Sequence, residues 1–202
     1  MSTADTASAD DSSILRPLAL ALVDRPRATL QELAQAVGIS KTTLYRFCRT
    51  RDELIQRLIA YSTHTLLDAI QSARLDDGEP VEALRRLITS NLTHPEATLF
   101  LMYFWWRADP PEMDVMAEQN WQVTLDSFFL RGQQQGLFRI DMPAAALTEI
   151  WSSIVVALVD AERRGRVARV GLEALIENAF LTGTLAQPCQ GCQSSQLTQP
   201  FQ

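Results

Sequence analysis

Apolar residues recur along most of the chain at the three- and four-residue spacing of amphipathic helices. Ile14, Leu15, Leu18, Leu22 and Val23 share one face of a first helix. It is predicted to start near Ser12 or Ser13, with Pro17 in its opening turn, and to end at Asp24-Arg25-Pro26-Arg27. Thr29-Leu30-Gln31-Glu32 has the pattern of a capping box, in which side chains at the first and fourth positions each satisfy a free backbone N–H. The second helix then runs to Val37 and stops at Gly38. Ser40 caps a third helix over 41–47, and Thr50-Arg51-Asp52-Glu53 repeats the box to open a fourth over 51–75.

Further helices are predicted over 80–94, 95–107, 112–135, 143–164 and 172–185, broken by turns at 76–79, 109–111 and 136–141. The 95–107 segment is apolar almost all round, so it is expected to be buried. No strand-like alternation and no internal repeat is present, and the expected fold is all-α with about nine helices. Residues 1–12 form a polar, acidic tail and 186–202 a glutamine-rich one, both predicted to be disordered.

The segment from Leu30 to Phe47 reads as a helix-turn-helix. Ala34 is small enough for two helices to cross closely, and Gly38 tolerates the left-handed turn between them. Leu33, Val37, Ile39, Leu44 and Phe47 would form the shared core. The third helix is then left with an exposed polar face of Lys41, Thr42, Thr43, Tyr45 and Arg46. Small hydroxyl residues at its start can approach base edges in a major groove, while the longer side chains reach bases or phosphates. Thr29, Ser40 and Thr50 begin helices whose free N–H groups suit phosphate, and Arg49 and Arg51 add charge beside one of them.

Charge changes this picture in one respect. The 202-residue chain is acidic, with a net charge of −6, whereas DNA-binding domains are usually basic. Yet seven basic and only three acidic side chains lie between Arg25 and Leu58, leaving the remainder at −10. The basic island coincides with the helix-turn-helix, and the one lysine of the chain, Lys41, lies within it.

The stretch "ATLQELAQAVGISKTTLYRFCRTRDEL" resembles the DNA-binding region of TetR-family repressors. It carries the Gly-hydrophobic-Ser turn (Gly38-Ile39-Ser40), the Leu-Tyr pair (Leu44-Tyr45) and the Ser/Thr-basic-acidic start of the next helix (Thr50-Arg51-Asp52). The resemblance implies a TetR-like fold, an N-terminal three-helix domain over 13–50 and a helical ligand-binding and dimerisation domain over 51–185. It also implies DNA contacts from Thr29, from the recognition helix and from Arg51. The chain departs from the family pattern at Cys48 and Arg49, where an aromatic and a proline are common. It departs again at "VDRPRA", where a glycine is usual, and in its acidic N-terminal arm. "FFLRGQQQGLFRID" and "DAERRGR" extend the likeness into the second half, and it is similar there to a repressor of a multidrug efflux operon.

All four tryptophans lie in that second half. Phe100, Met102, Tyr103, Phe104, Trp106, Met116, Trp121, Phe128 and Trp151 are candidates for a pocket that takes a small hydrophobic or cationic ligand. Glu112, Asp114, Glu118 and Glu149 are candidate counter-charges. For any one of these aromatics a place in an ordinary helical core is the plainer alternative.

Ala145, Ile150, Ile154, Ala157, Leu158, Leu175, Ala179 and Leu181 are candidates for a homodimer interface. A dimer reading double-stranded DNA requires a pseudo-palindromic operator. Cys189 and Cys192 form a lone C-x-x-C with no second pair, and no metal site, cofactor or catalytic constellation is expected. No signal peptide or membrane span is expected, so the predicted location is cytoplasmic. The alternative function on the same fold is a nucleoid or division factor that binds DNA and a protein partner.

Overall fold

The computed structural model describes residues 4–105 and 115–185, with side chains over 12–104 and 121–185. Nine helices lie within these residues and no strand does; one isolated bridge joins Phe138 to Leu185. They are α1 (Ala4–Asp24), α2 (Leu30–Ala36), α3 (Lys41–Phe47), α4 (Arg51–Ser72) and α5 (Pro80–Thr93), then α6 (Pro95–Trp105), α7 (Val115–Gln134), α8 (Ala144–Arg163) and α9 (Leu172–Thr184). The fold is all-α.

The helix ends follow local chemistry. At α2, Thr29 accepts from the Glu32 backbone N–H while the Glu32 carboxylate accepts from the Thr29 N–H, a complete capping box. At α4 the expected second box is only half formed. Thr50 accepts from the Glu53 N–H at 3.1 Å, but the Glu53 carboxylate reaches past Thr50 to the Arg49 N–H at 2.8 Å. Gly38 sits at φ +73, the left-handed conformation that lets α2 stop and α3 start at a steep angle.

One boundary corrects the sequence expectation. The first helix begins at Ala4, well before Ser12, and Pro17 lies inside it. A polar and acidic stretch is compatible with helical backbone, and Asp5 falls in the first turn, where a helix dipole favours negative charge. At Pro17 one intrahelical donor is missing and the ring crowds the carbonyl four residues back, so the tertiary packing of α1 has to offset a local cost.

Two apolar cores organise the molecule. The first gathers Leu18, Leu22, Leu33, Ala34, Leu44, Cys48, Leu54 and Leu58 from α1–α4, and α6 adds Phe100 and Phe104 to it. The second gathers α5, α7, α8 and α9 with the distal part of α4 around Phe128, Phe129, Phe138, Trp151 and Phe180. Gly132 allows a close contact there, because a Cβ would come within 2.3 Å of the Phe138 ring. The helices α4 and α6 therefore belong to both bodies. The predicted burial of the 95–107 segment is met in part: Glu96 to Phe100 and Phe104 are buried, Pro95 and Leu101 to Tyr103 are half-buried, and the side chains from Trp105 on lie outside the described residues.

Among the described residues α8 alone is long and apolar enough to cross a membrane by length and composition, at a mean hydropathy of 1.6. It packs between α7 and α9, and one side of it stays exposed.

Candidate DNA interface and ligand cavity

The helix-turn-helix holds α3 by its buried side and leaves the other side open. Leu44 is fully buried, while Val37, Ile39 and Phe47 pack partly buried around it. Lys41, Thr42, Tyr45 and Arg46 are exposed. The Lys41 ammonium lies 5.3 Å from the Tyr45 ring centroid and 3.5 Å from Gln31 Oε1, so these two side chains form one patch at the start of α3.

Thr43 is less free than expected. It is half-buried, its N–H donates to Ser40 Oγ, and its hydroxyl is 2.8 Å from the same atom. The hydroxyls of Thr29, Ser40 and Thr50 are likewise engaged in capping. Arg49 is exposed, and Arg51 is half-buried with Nη2 donating to the Pro26 carbonyl at 2.5 Å.

The pairing of charges separates this end from the rest of the molecule. Arg16, Arg57, Arg74, Arg85, Arg131, Arg139, Arg163 and Arg164 all have carboxylate partners. Among the described residues Arg25, Arg27, Lys41, Arg46, Arg49 and Arg51 have none, and all six lie between α1 and the start of α4. Elsewhere Arg86 and Arg169 cap backbone carbonyls, and Arg166, just past α8, is exposed without a carboxylate partner. An acidic molecule thus keeps most of its unneutralised cations together at the recognition helix, as binding to a polyanion requires. Two glutamates inside this region are drawn below the usual glutamate range, Glu32 by the Thr29 N–H and Glu53 by the Arg49 N–H. Burial pushes the Cys48 thiol up, consistent with a packing role beneath α3.

A cavity of about 190 Å³ opens between α4, α5, α6, α7 and α8. Leu66, Leu67, Ile70, Leu101, Met102, Trp121, Leu125, Trp151 and Val155 form its apolar wall, and Asn91, Thr98, Gln122, Glu149, Ser152 and Ser153 supply polar groups. The hydroxyl of Thr98 is buried in it without a hydrogen-bond partner.

Of the pocket candidates, Met102, Trp121 and Trp151 line this space. Phe100 and Phe104 do not. They face the other side of α6, 4.5 Å apart ring to ring, in the core beneath the helix-turn-helix. Phe128 packs edge-on against Phe129 and Phe138 in the second core, and Tyr103 turns toward the α1–α2 corner. Trp106, Glu112 and Asp114 lie outside the described residues, as do the side chains of Met116 and Glu118 and the Cys189/Cys192 pair. On the predicted dimer face, Ala145, Ala157, Leu175 and Ala179 are exposed or half-exposed, whereas Ile150, Ile154, Leu158 and Leu181 are half-buried against the second core.

Sequence reasoning passed over a polar tie between the two bodies. Glu96, fully buried at the start of α6, meets Arg16 Nε of α1 at 3.3 Å and accepts from the Tyr61 hydroxyl of α4 at 3.3 Å. Burial and the nearby Glu96 charge push the Tyr61 phenol up. A single glutamate in an apolar run carries no sequence signal of this kind, because its partners come from distant helices.

No family model matches the chain. The helix-turn-helix transcriptional regulator NfxB of Pseudomonas aeruginosa is 49% identical over 175 residues, covering 86% of this chain and 93% of NfxB. Among solved structures, the MbdR regulator from Azoarcus sp. CIB superposes with a TM-score of 0.69 at 17% identity, over 86% of this chain and 97% of MbdR. The TetR-like regulator LfrR from Mycobacterium smegmatis, solved in complex with proflavine, gives 0.61 at 20% identity, over 88% of this chain and 98% of LfrR. The chain belongs to the TetR family of transcriptional regulators. It is a helix-turn-helix regulator that binds DNA sequence-specifically. The repressor LfrR of Mycolicibacterium smegmatis is 35% identical over 92 residues, 45% of this chain and 48% of that repressor.

Proposed function

We propose that the protein is a cytoplasmic, homodimeric repressor of a multidrug efflux operon that leaves its operator when a flat hydrophobic or cationic compound enters the cavity. The observation that carries this reading is the cavity itself. Its wall is formed by Trp121 and Trp151, Glu149 is among its polar groups, and α4 and α6, which also build the core under the recognition helix, border it. A ligand that favours a different tilt of these helices changes the spacing of the two recognition helices in a dimer. The LfrR structure, which holds the planar cation proflavine, supports the ligand class.

In this reading Thr42, Tyr45 and Arg46 read base edges and Lys41 joins them at the start of α3. Thr29, Ser40, Thr43 and Thr50 shape the helix ends, while Arg49 and Arg51 hold phosphate. The exposed side of α8 and α9, with Ala145, Ala157, Leu175 and Ala179, meets the same face of a second copy, and the operator is pseudo-palindromic. Residues 13–50 act as the DNA-binding unit and 51–185 as the ligand and dimer unit.

The test is operator binding by fluorescence anisotropy, on DNA from upstream of the gene, titrated with proflavine. Saturable quenching of tryptophan fluorescence together with release of the duplex is expected. Quenching with no change in operator affinity would overturn the ligand-responsive part of the reading.

A further inference from the structure

The α1–α2 corner carries positive charge that the recognition helix does not account for. Arg25, Pro26, Arg27, Ala28, Glu32, Arg51 and Tyr103 line an open hollow there. Arg25 and Arg27 lie at its surface, and neither guanidinium forms an ion pair or hydrogen bond among the described residues, although the Arg25 charge is near enough to Glu32 to help hold that carboxyl down. The hollow's one carboxylate, Glu32, is turned onto Thr29, with Oε2 accepting from its N–H at 2.7 Å and its hydroxyl at 2.8 Å. Arg51 Nη2 holds the Pro26 carbonyl at 2.5 Å, which ties the corner to the start of α4. Gln31, beside Glu32 on α2, meets Lys41 at 3.5 Å, which brings the start of α3 to the same region.

We propose that Arg25 and Arg27, together with Arg51, form a clamp for DNA backbone phosphates beside the major groove that α3 reads. The proposal rests on the DNA-binding reading above and adds a contact outside the helix-turn-helix. Guanidinium forks match phosphate oxygens, and a surface arginine left unpaired in a molecule of net charge −6 is available to a polyanion. The clamp supplies a backbone grip that the acidic N-terminal segment, with Asp5, Asp10 and Asp11, is unsuited to give. Because phosphates carry no sequence information, the clamp strengthens binding to every duplex and leaves the preference among sequences to α3.

The experiment compares the full-length wild type with R25A/R27A and R25K/R27K. Each is titrated onto a duplex enriched from a random pool by the wild type, and onto a random-sequence duplex, at salt concentrations from about 50 to about 200 mM. In a two-fold complex the alanine variant removes both arginines from each protomer, and the slope of log affinity against log salt falls by about 0.9 for every phosphate no longer neutralised. The ratio of operator to random-duplex affinity stays at the wild-type value, and R25K/R27K keeps the wild-type slope. An alanine variant with the wild-type slope, or a lysine variant with a reduced one, would overturn the clamp. A wild type that enriches no sequence and binds neither duplex would instead overturn the DNA-binding reading beneath it.

Discussion

Ser40 and Thr43 divide the work at the start of the recognition helix. Ser40 Oγ takes the Thr43 N–H at 3.0 Å and contacts its hydroxyl, so of the two adjacent threonines only Thr42 presents a free face. Ser40→Ala removes that cap and is expected to cost about 1 kcal/mol, read as a lowered midpoint in urea denaturation. Thr42→Ala and Tyr45→Ala leave stability unchanged and reduce the ratio of specific to random binding, as anisotropy on matched and scrambled duplexes would show. The capping glutamates give a pH signature. Glu32 and Glu53 are held below the ordinary value of 4.5 by backbone N–H groups. A depressed carboxyl adds stability above its unfolded value, and that stability is lost as pH falls through its folded one. Thermal melts should therefore weaken as pH drops below about 4.5, and Glu32→Gln with Glu53→Gln should flatten that acid limb. The caps were legible in the sequence because they join residues three apart. The Arg49–Glu53 contact joins residues four apart, one position beyond the box.

At the scale of elements, α6 decides most. Its apolar residues occur almost all round, so periodicity gives no face and cannot tell a cavity wall from a core. The fold assigns Thr98, Leu101 and Met102 to the cavity, Phe100 and Phe104 to the core under α3, and Tyr103 to the arginine corner, 5.3 Å from the Phe104 ring. Tyr103→Ala is therefore expected to leave proflavine quenching in place while weakening the ligand-driven release of operator. Equal release in wild type and variant would show that α6 does not transmit through this residue. The α7 end offers a packing test. Gly132→Ala sets a Cβ against the Phe138 ring among Phe128, Phe129 and Phe180, and overpacking of this kind costs about 1–3 kcal/mol, visible as a lower melting temperature.

At the scale of the whole molecule, two cores share α4 and α6, and Glu96 with Arg16 and Tyr61 ties α1 to that shared pair. On the dimer face proposed for α8 and α9, a new charge would oppose association. Ala157→Glu and Ala179→Glu are expected to leave the protomer folded and to yield a monomer by sedimentation, with operator binding abolished. A dimer that persists in both variants would move the interface elsewhere.

The chain's local chemistry alone determined the course of α2 to α9, the side-chain caps at Thr29, Ser40 and Thr50, the Gly38 turn and the basic island from Arg25 to Leu58, but neither the start of α1 nor the Glu53 half of the second box. Each depends on residues within a few positions of one another, or on composition. Tertiary structure decided which aromatics line the cavity, that Arg51 reaches the Pro26 carbonyl and that Glu96 is paired. It also left Arg25 and Arg27 without an ion pair or hydrogen bond to their guanidinium groups. Those outcomes depend on which helix faces which, and the sum of side-chain contacts across the fold sets that, where no single segment's pattern can.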